Sequence, residues 1–264
     1  DGFSQINVAP PGVNTDEPWA GSANVDGDGK PELLLAQKNF VRAVVWPTAP
    51  REAATNGTPA FVVKDQINGV SSSSRIVGAV VLAAETNRVA PMVLLDAERK
   101  ELTLCERDAA GVWQVVRSLA LPVSEFSGVQ PLALGGPRVN AVGLSSATAV
   151  AWKSFAGQVW DWSLLHEYET PIKDGYLNDV VPGDLDGDGV ADLVFLEAAK
   201  NHLDLVTFQS PNRLVPANRW QVFEERSFMS RRATAPEPRE AVIADLTGDG
   251  KNDLAVLVHD RVLV

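Results

Sequence analysis

In the stretch GDLDGDGVADLVFL, residues 183–196, carboxylates fall on alternate residues at Asp184, Asp186 and Asp188, and again at Asp192. Counted from Asp184 these are positions one, three, five and nine of a loop, with Gly189 at position six and Val190 at position seven. So many like charges in one turn repel one another unless a cation sits among them. A hard divalent cation takes six to eight oxygens at roughly 2.3–2.6 Å, and alternate residues of a tightly curled backbone can all face one centre. Glycine at position six permits the bend, and position seven supplies a main-chain carbonyl, so the side chain of Val190 is immaterial. The spacing predicts a calcium site built from Asp184, Asp186, Asp188, Val190 and Asp192.

A helix-flanked calcium loop of the EF-hand kind would carry a bidentate Glu at position twelve. Here that position is Phe195, and the residues that follow Asp192 are bulky and apolar, which reads as a buried strand. The loop therefore joins two strands.

The same design recurs twice. NVDGDGKPELLLA offers Asn24, Asp26, Asp28, Lys30 and Glu32, and DLTGDGKNDLAVL offers Asp245, Thr247, Asp249, Lys251 and Asp253. Lys30 and Lys251 hold position seven, where only the carbonyl coordinates, and their side chains are expected to point outward. Asn24 and Thr247 can coordinate as neutral oxygens, and affinity is expected to follow the number of carboxylates. Up to three calcium ions are expected, in structural roles.

The strand behind each loop anchors a repeat at Glu32, Asp192 and Asp253, and weaker matches place Met92 and Asn140 at the same point. Five units follow, spanning about 9–68, 69–122, 123–171, 172–232, and 233–264 with 1–8. Each shows four short strand signals, such as 19–25, 32–37, 41–46 and 59–65 in the first, and 178–183, 192–197, 204–209 and 220–226 in the fourth. Four strands per unit predict the blades of an all-β propeller, whose sheets bury both faces against neighbours. The last unit has only three strands, and the alternating FSQINV near the start of the chain is expected to complete it, which gives a single domain of five blades; the rival is a seven-bladed ring from which two blades are absent.

The three loops and their strands resemble the FG-GAP or VCBS repeat family, which includes the propeller repeats of integrin α-subunits. The family motif, an aspartate-rich loop and then a strand opening Asp-Leu, matches Asp184–Leu193 and Asp245–Leu254 well and Asn24–Leu33 closely. The resemblance implies ligands at positions one, three, five, seven and nine. The second and third units lack the carboxylate set and are expected to bind no calcium.

The chain of 264 residues has 34 acidic and 23 basic residues and a net charge of −11. Nucleic-acid binders carry basic stripes, so no nucleic-acid partner is expected; the basic run Arg226–Arg232 reads as a solvated loop. No stretch approaches the roughly 18 apolar residues of a spanning helix, so membrane insertion is not expected. The chain starts on polar residues without a signal region and reads as a mature or excised, monomeric domain. Cys105, the single cysteine, lies in a strand pattern and is expected in the core. Calcium loops of modest affinity suit a millimolar-calcium setting, so an extracellular, periplasmic or cell-surface location is expected, in a bacterium.

Catalytic signals are sparse. His166, His202 and His259 have no zinc spacing, and GLSSA at 143–147 lacks the second glycine of a nucleophile elbow. Glycoside cleavage needs two carboxylates about 5–9.5 Å apart; Glu85, Asp96, Asp161 and Asp174 are candidates, but nothing in the sequence pairs them. Trp46 and Trp152 share a third-strand position, which favours packing, as does the single face shared by Trp160 and Trp162. The expected function is a calcium-stabilised interaction or adhesion scaffold that binds protein or carbohydrate on a propeller face. The alternative is a glycan-active enzyme or the carbohydrate-binding accessory of one.

Overall fold

The computed structural model describes residues 19–46, 61–84, 90–121, 126, 128–136, 138–155, 166–211, 213–222, 240–258 and 260–264. Among them are nineteen strands and no helix. The first sheet contains β1 (Trp19–Ala23), β2 (Glu32–Gln37), β3 (Phe40–Val45) and β4 (Val62–Asn68), and the second β5 (Ile76–Val81), β6 (Met92–Asp96), β7 (Glu101–Arg107) and β8 (Trp113–Ala120). The third contains β9 (Gly128–Leu132), β10 (Ala141–Ser145), β11 (Ala149–Ser154) and β12 (His166–Glu169). The fourth contains β13 (Leu177–Gly183), β14 (Asp192–Glu197), β15 (His202–Ser210) and β16 (Arg213–Gln221), and the fifth β17 (Glu240–Ala244), β18 (Asp253–Val258) and β19 (Arg261–Leu263). Every sheet is an antiparallel meander in chain order. These are the blades of a β-propeller, the fold class that the repeat pattern predicts.

Burial explains the strand chemistry. Three of the five second strands, MVLLD in β6, AVGLS in β10 and DLVFLE in β14, are buried at every residue. A strand covered on both faces has no use for polar alternation. The fourth strands are the opposite: β8 and β16 are mostly exposed and rich in polar residues.

The chain forms two compact units, residues 1–124 with the first two blades and residues 125–264 with the last three. In the first unit one core joins Leu34, Val41 and Ile67 to Ile76, Met92, Leu94 and Cys105. A polar clasp closes the outer side, where Asp65 on β4 accepts from the Arg107 guanidinium and from Trp113 Nε1 (2.7 Å). In the second unit Trp152, Phe195 and Phe208 centre one core and Val194, Leu196 and Val256 another.

Two outer strands differ from expectation. The fourth strand of the first blade runs Val62–Asn68 instead of 59–65, and that of the fourth blade runs Arg213–Gln221 instead of 220–226. The register Ser210↔Arg213 starts β16 early, and its Pro216 is tolerated because an edge strand leaves one side of its backbone unpaired. FSQINV, Arg226–Arg232, Glu85, Asp161, Trp160, Trp162 and His259 lie outside the described residues.

Candidate metal centres

Three loops of one design connect first and second strands, at 24–32, 184–192 and 245–253. In each, the residue at position one takes the N–H of the glycine at position four. Gly27 donates to Asn24 Oδ1 (2.7 Å), Gly187 to Asp184 Oδ1 (2.7 Å) and Gly248 to Asp245 Oδ1 (2.6 Å). The glycine at position six donates to the second oxygen of Asp184 and Asp245, from Gly189 (3.0 Å) and Gly250 (2.9 Å). Both glycines of each loop have φ between 77° and 86°, a conformation that glycine adopts without penalty.

Position five caps position seven: Asp28 Oδ1 accepts from Lys30 N (2.8 Å), Asp188 Oδ1 from Val190 N (2.7 Å) and Asp249 Oδ1 from Lys251 N (2.8 Å). The residue at position nine closes the loop on itself. Glu32 Oε2 accepts the Val25 N–H (2.7 Å), Asp192 Oδ2 that of Leu185 (3.0 Å) and Asp253 Oδ2 that of Leu246 (3.0 Å). In the third blade Asn140 does the same without charge, its Oδ1 accepting from Leu134 N (2.7 Å). That clamp is a role that spacing alone did not reveal.

The curl brings carboxylates together in two loops. Oxygens of Asp184, Asp186 and Asp188 lie within 4.8 Å of one another, as do those of Asp26, Asp28 and Glu32. Either cluster could hold a metal ion. Asp245, Asp249 and Asp253 form no such group, since Thr247 stands where the middle loop has Asp186 and Asp253 Oδ2 also accepts from the Thr247 N–H (3.1 Å).

The two clusters differ electrostatically. Among the described residues no ammonium or guanidinium pairs with Asp184, Asp186 or Asp188. Burial pushes the Asp192 carboxyl above its usual range, and the charges of Asp186, Asp188 and Asp184 add to that, against the opposing Leu185 N–H. In the first loop Lys64 Nζ lies 2.5 Å from Asp26, 2.8 Å from Glu32 and 3.5 Å from Asp28. The hydrogen bond from Lys64 holds Asp26 below the usual carboxylate range, and the same contacts hold the lysine above its own.

Loops of the second unit interlock. The Gly136 N–H donates to Gly189 O (2.7 Å) and the Ala191 N–H to Ala133 O (2.8 Å). Asn252 Nδ2 reaches Asp184 O (2.8 Å) from the neighbouring loop. The middle loop is thus tied to the loops on either side.

The other candidates have structural surroundings. Asp96 is buried at the end of β6, where its Oδ1 accepts three N–H groups, from Arg75, Glu98 and Arg99. Glu197 caps the matching turn after β14, taking Tyr176, Ala199 and Lys200. Asp174 is an exposed turn residue with φ of 56°. GLSSA begins inside β10 and so forms no strand-to-helix elbow. Trp152 is core, with its Nε1 donating to Pro211 O (2.8 Å), whereas Trp46 is 45% exposed and rests edge-on against Phe61. A shared strand position therefore did not mean shared packing, because Trp46 stands just past the end of β3. His166 stacks at a tilt beside Trp152, and Cys105 is buried.

No helix among the described residues is long and apolar enough to cross a membrane. No protein-family model matches the sequence, and no curated protein matches it. Among solved structures, a crystal structure of a protein from Lactobacillus plantarum, determined by a structural genomics consortium, is similar with 14% identity and a TM-score of 0.46. The alignment covers 78% of this chain and 65% of that one, so the chain spans about two thirds of the length of the structure it matches.

Proposed function

We propose that this chain is a calcium-stabilised propeller of the FG-GAP or VCBS type, serving outside the cytoplasm as a scaffold that presents loops to a protein or carbohydrate ligand. The observation that carries the metal reading is the convergence of Asp184, Asp186 and Asp188 within 4.8 Å, with no ammonium or guanidinium of the described residues paired to them. Three carboxylates, the carbonyl of Val190 and the nearby Asp192 make a hard, all-oxygen donor set of the kind calcium selects. The third loop, with Asp245, Thr247, Asp249, Lys251 and Asp253, is the weaker site.

Calcium acts here on stability. Filling the middle loop removes the repulsion among its acids, and an ion that binds only the folded chain stabilises it by RT ln(1 + [Ca²⁺]/Kd). Because Gly189, Ala191 and Asp184 bond to neighbouring loops, the effect reaches three blades. Modest affinity from an exposed loop fits a millimolar-calcium environment, which supports export. The test is a thermal melt in excess EDTA and in millimolar calcium, for the wild type and for Asp186→Ala with Asp188→Ala. Calcium should raise the wild-type Tm, and the double variant should lose part of that gain. A wild-type Tm that ignores calcium refutes the metal reading and, with it, the case for export.

A further inference from the structure

We propose that the first loop carries its own cation: the Lys64 ammonium takes the place of the metal, so that the hairpin of the first blade is closed without a divalent ion. Lys64 Nζ contacts the same three carboxylates whose convergence marks the cluster, Asp26, Asp28 and Glu32. Glu32 divides its oxygens, giving Oε2 to the Val25 N–H and Oε1 to Lys64. Asn24 stands where the middle loop has Asp184, which lowers the negative charge to be balanced. A calcium ion needing six or more oxygens would have to expel the ammonium, since two cations cannot share three acids at such distances.

The lysine is delivered by a bulge. On β4, Val63 pairs with Val44 and Asp65 with Ala43, leaving Lys64 as the extra residue. A bulge of this kind re-aims a side chain. The fourth blade has the same irregularity at the same place: Pro216 pairs with Val206 and Asn218 with Leu205, so the extra residue is Ala217. Val44 faces Leu33 and Val206 faces Leu193, each one residue past position nine, which makes Lys64 and Ala217 equivalent. The loop with the lysine has an amide at position one, and the loop with the alanine has the full set of aspartates. The two blades thus satisfy one electrostatic demand in two ways, a statement that rests on the metal reading of the middle loop.

The test is calcium stoichiometry by titration calorimetry on the chelator-stripped full chain, with Tm in EDTA as a second readout. Lys64→Met should melt lower in EDTA and bind one more calcium ion per chain than the wild type, and adding Asp26→Asn should remove that extra ion. Asp26→Asn in the otherwise wild-type chain should leave the stoichiometry unchanged. The reciprocal Ala217→Lys should lose one ion and melt higher in EDTA, which keeps the test open if Lys64→Met folds poorly. Loss of an ion from Asp26→Asn alone overturns the inference, as does a folded Lys64→Met that gains none or an Ala217→Lys that loses none while Asp186→Asn with Asp188→Asn does lose one. If the last pair also loses none, the metal reading of the middle loop fails separately, and the gain in Lys64→Met still decides the role of Lys64.

Discussion

Gly183 and Ile243 meet at the junction of the fourth and fifth blades so closely that a Cβ on Gly183 would stand 2.5 Å from Ile243 Cγ2 and 2.7 Å from its Cβ. Gly183 ends β13 and Ile243 lies on β17, so the missing side chain lets one blade seat on the next. Overfilling a packed site costs about 1–3 kcal/mol. Gly183→Val should lower the urea midpoint accordingly, and its penalty should be smaller in a background of Ile243→Ala, which removes the Cγ2 and Cδ1 that crowd the site.

The loop clamp makes a second prediction, because it needs an acceptor and not a charge. Asp192→Asn keeps an oxygen for the Leu185 N–H, as Asn140 does for Leu134, while removing a buried carboxylate repelled by its neighbours. It should hold or raise the Tm in EDTA and weaken calcium binding. Asp192→Ala leaves the N–H without its partner and should cost about 1–3 kcal/mol. Denaturation in EDTA separates the two.

The left-handed glycines bear on the same loop. Gly189 has φ of 81°, and a Cβ placed on it would meet nothing within 4 Å, so Gly189→Ala brings strain and no clash. That strain amounts to about 1–2 kcal/mol. Gly189→Asn should be milder, since asparagine tolerates this region, and chemical denaturation of the pair measures the difference.

Asp179 on β13 supplies a pH prediction. Withdrawal from water holds its carboxyl above the usual 3.8, with a further push from the charge of Glu240, while the Val180 N–H and the Gln130 amide pull the other way. A raised acid is bound more tightly to its proton in the folded chain. Its stabilising contribution is therefore full below the ordinary carboxylate value and is lost as pH rises through the folded-state value. Asp179→Asn should be more stable than the wild type at pH 7, with the advantage gone by about pH 3. A Tm series over that range checks both the sign and the window.

Cys105 gives a chemical readout of packing. Burial pushes its thiol up to about 12, so the thiolate that reacts is scarce in the native state. Ellman's reagent at pH 8 should label it only after denaturant is added, and a fast native reaction would place it elsewhere.

The second strands were legible because burial on both faces leaves an unbroken apolar run, as in Asp192–Glu197. The loops were legible because alternate carboxylates with a glycine at the bend mark a tight curl that gathers their oxygens. The outer strands were not: β16 lies at an exposed edge, where Pro216 and Asn218 read as breakers although the pairing accommodates them. Lys64 escaped notice for another reason. It stands 32 residues from Glu32, and only a register shift in β4 aims it at the first loop. The cap role of Asp96, a candidate for glycoside cleavage in the sequence, and of Glu197 was not legible, since a buried carboxylate that collects N–H donors has no sequence signature of its own.

The clamp at position nine has a bearing on how copies of one segment can diverge. Asn140 holds its loop shut with an amide, while Glu32, Asp192 and Asp253 do so with carboxylates. Keeping the hairpin and keeping the cluster of acids are therefore separate demands on a repeated unit. A unit can exchange its acids for neutral residues while the clamp still closes the loop, as the third blade does. A chain of such units is free to keep its acids in some loops and to give other loops to new contacts.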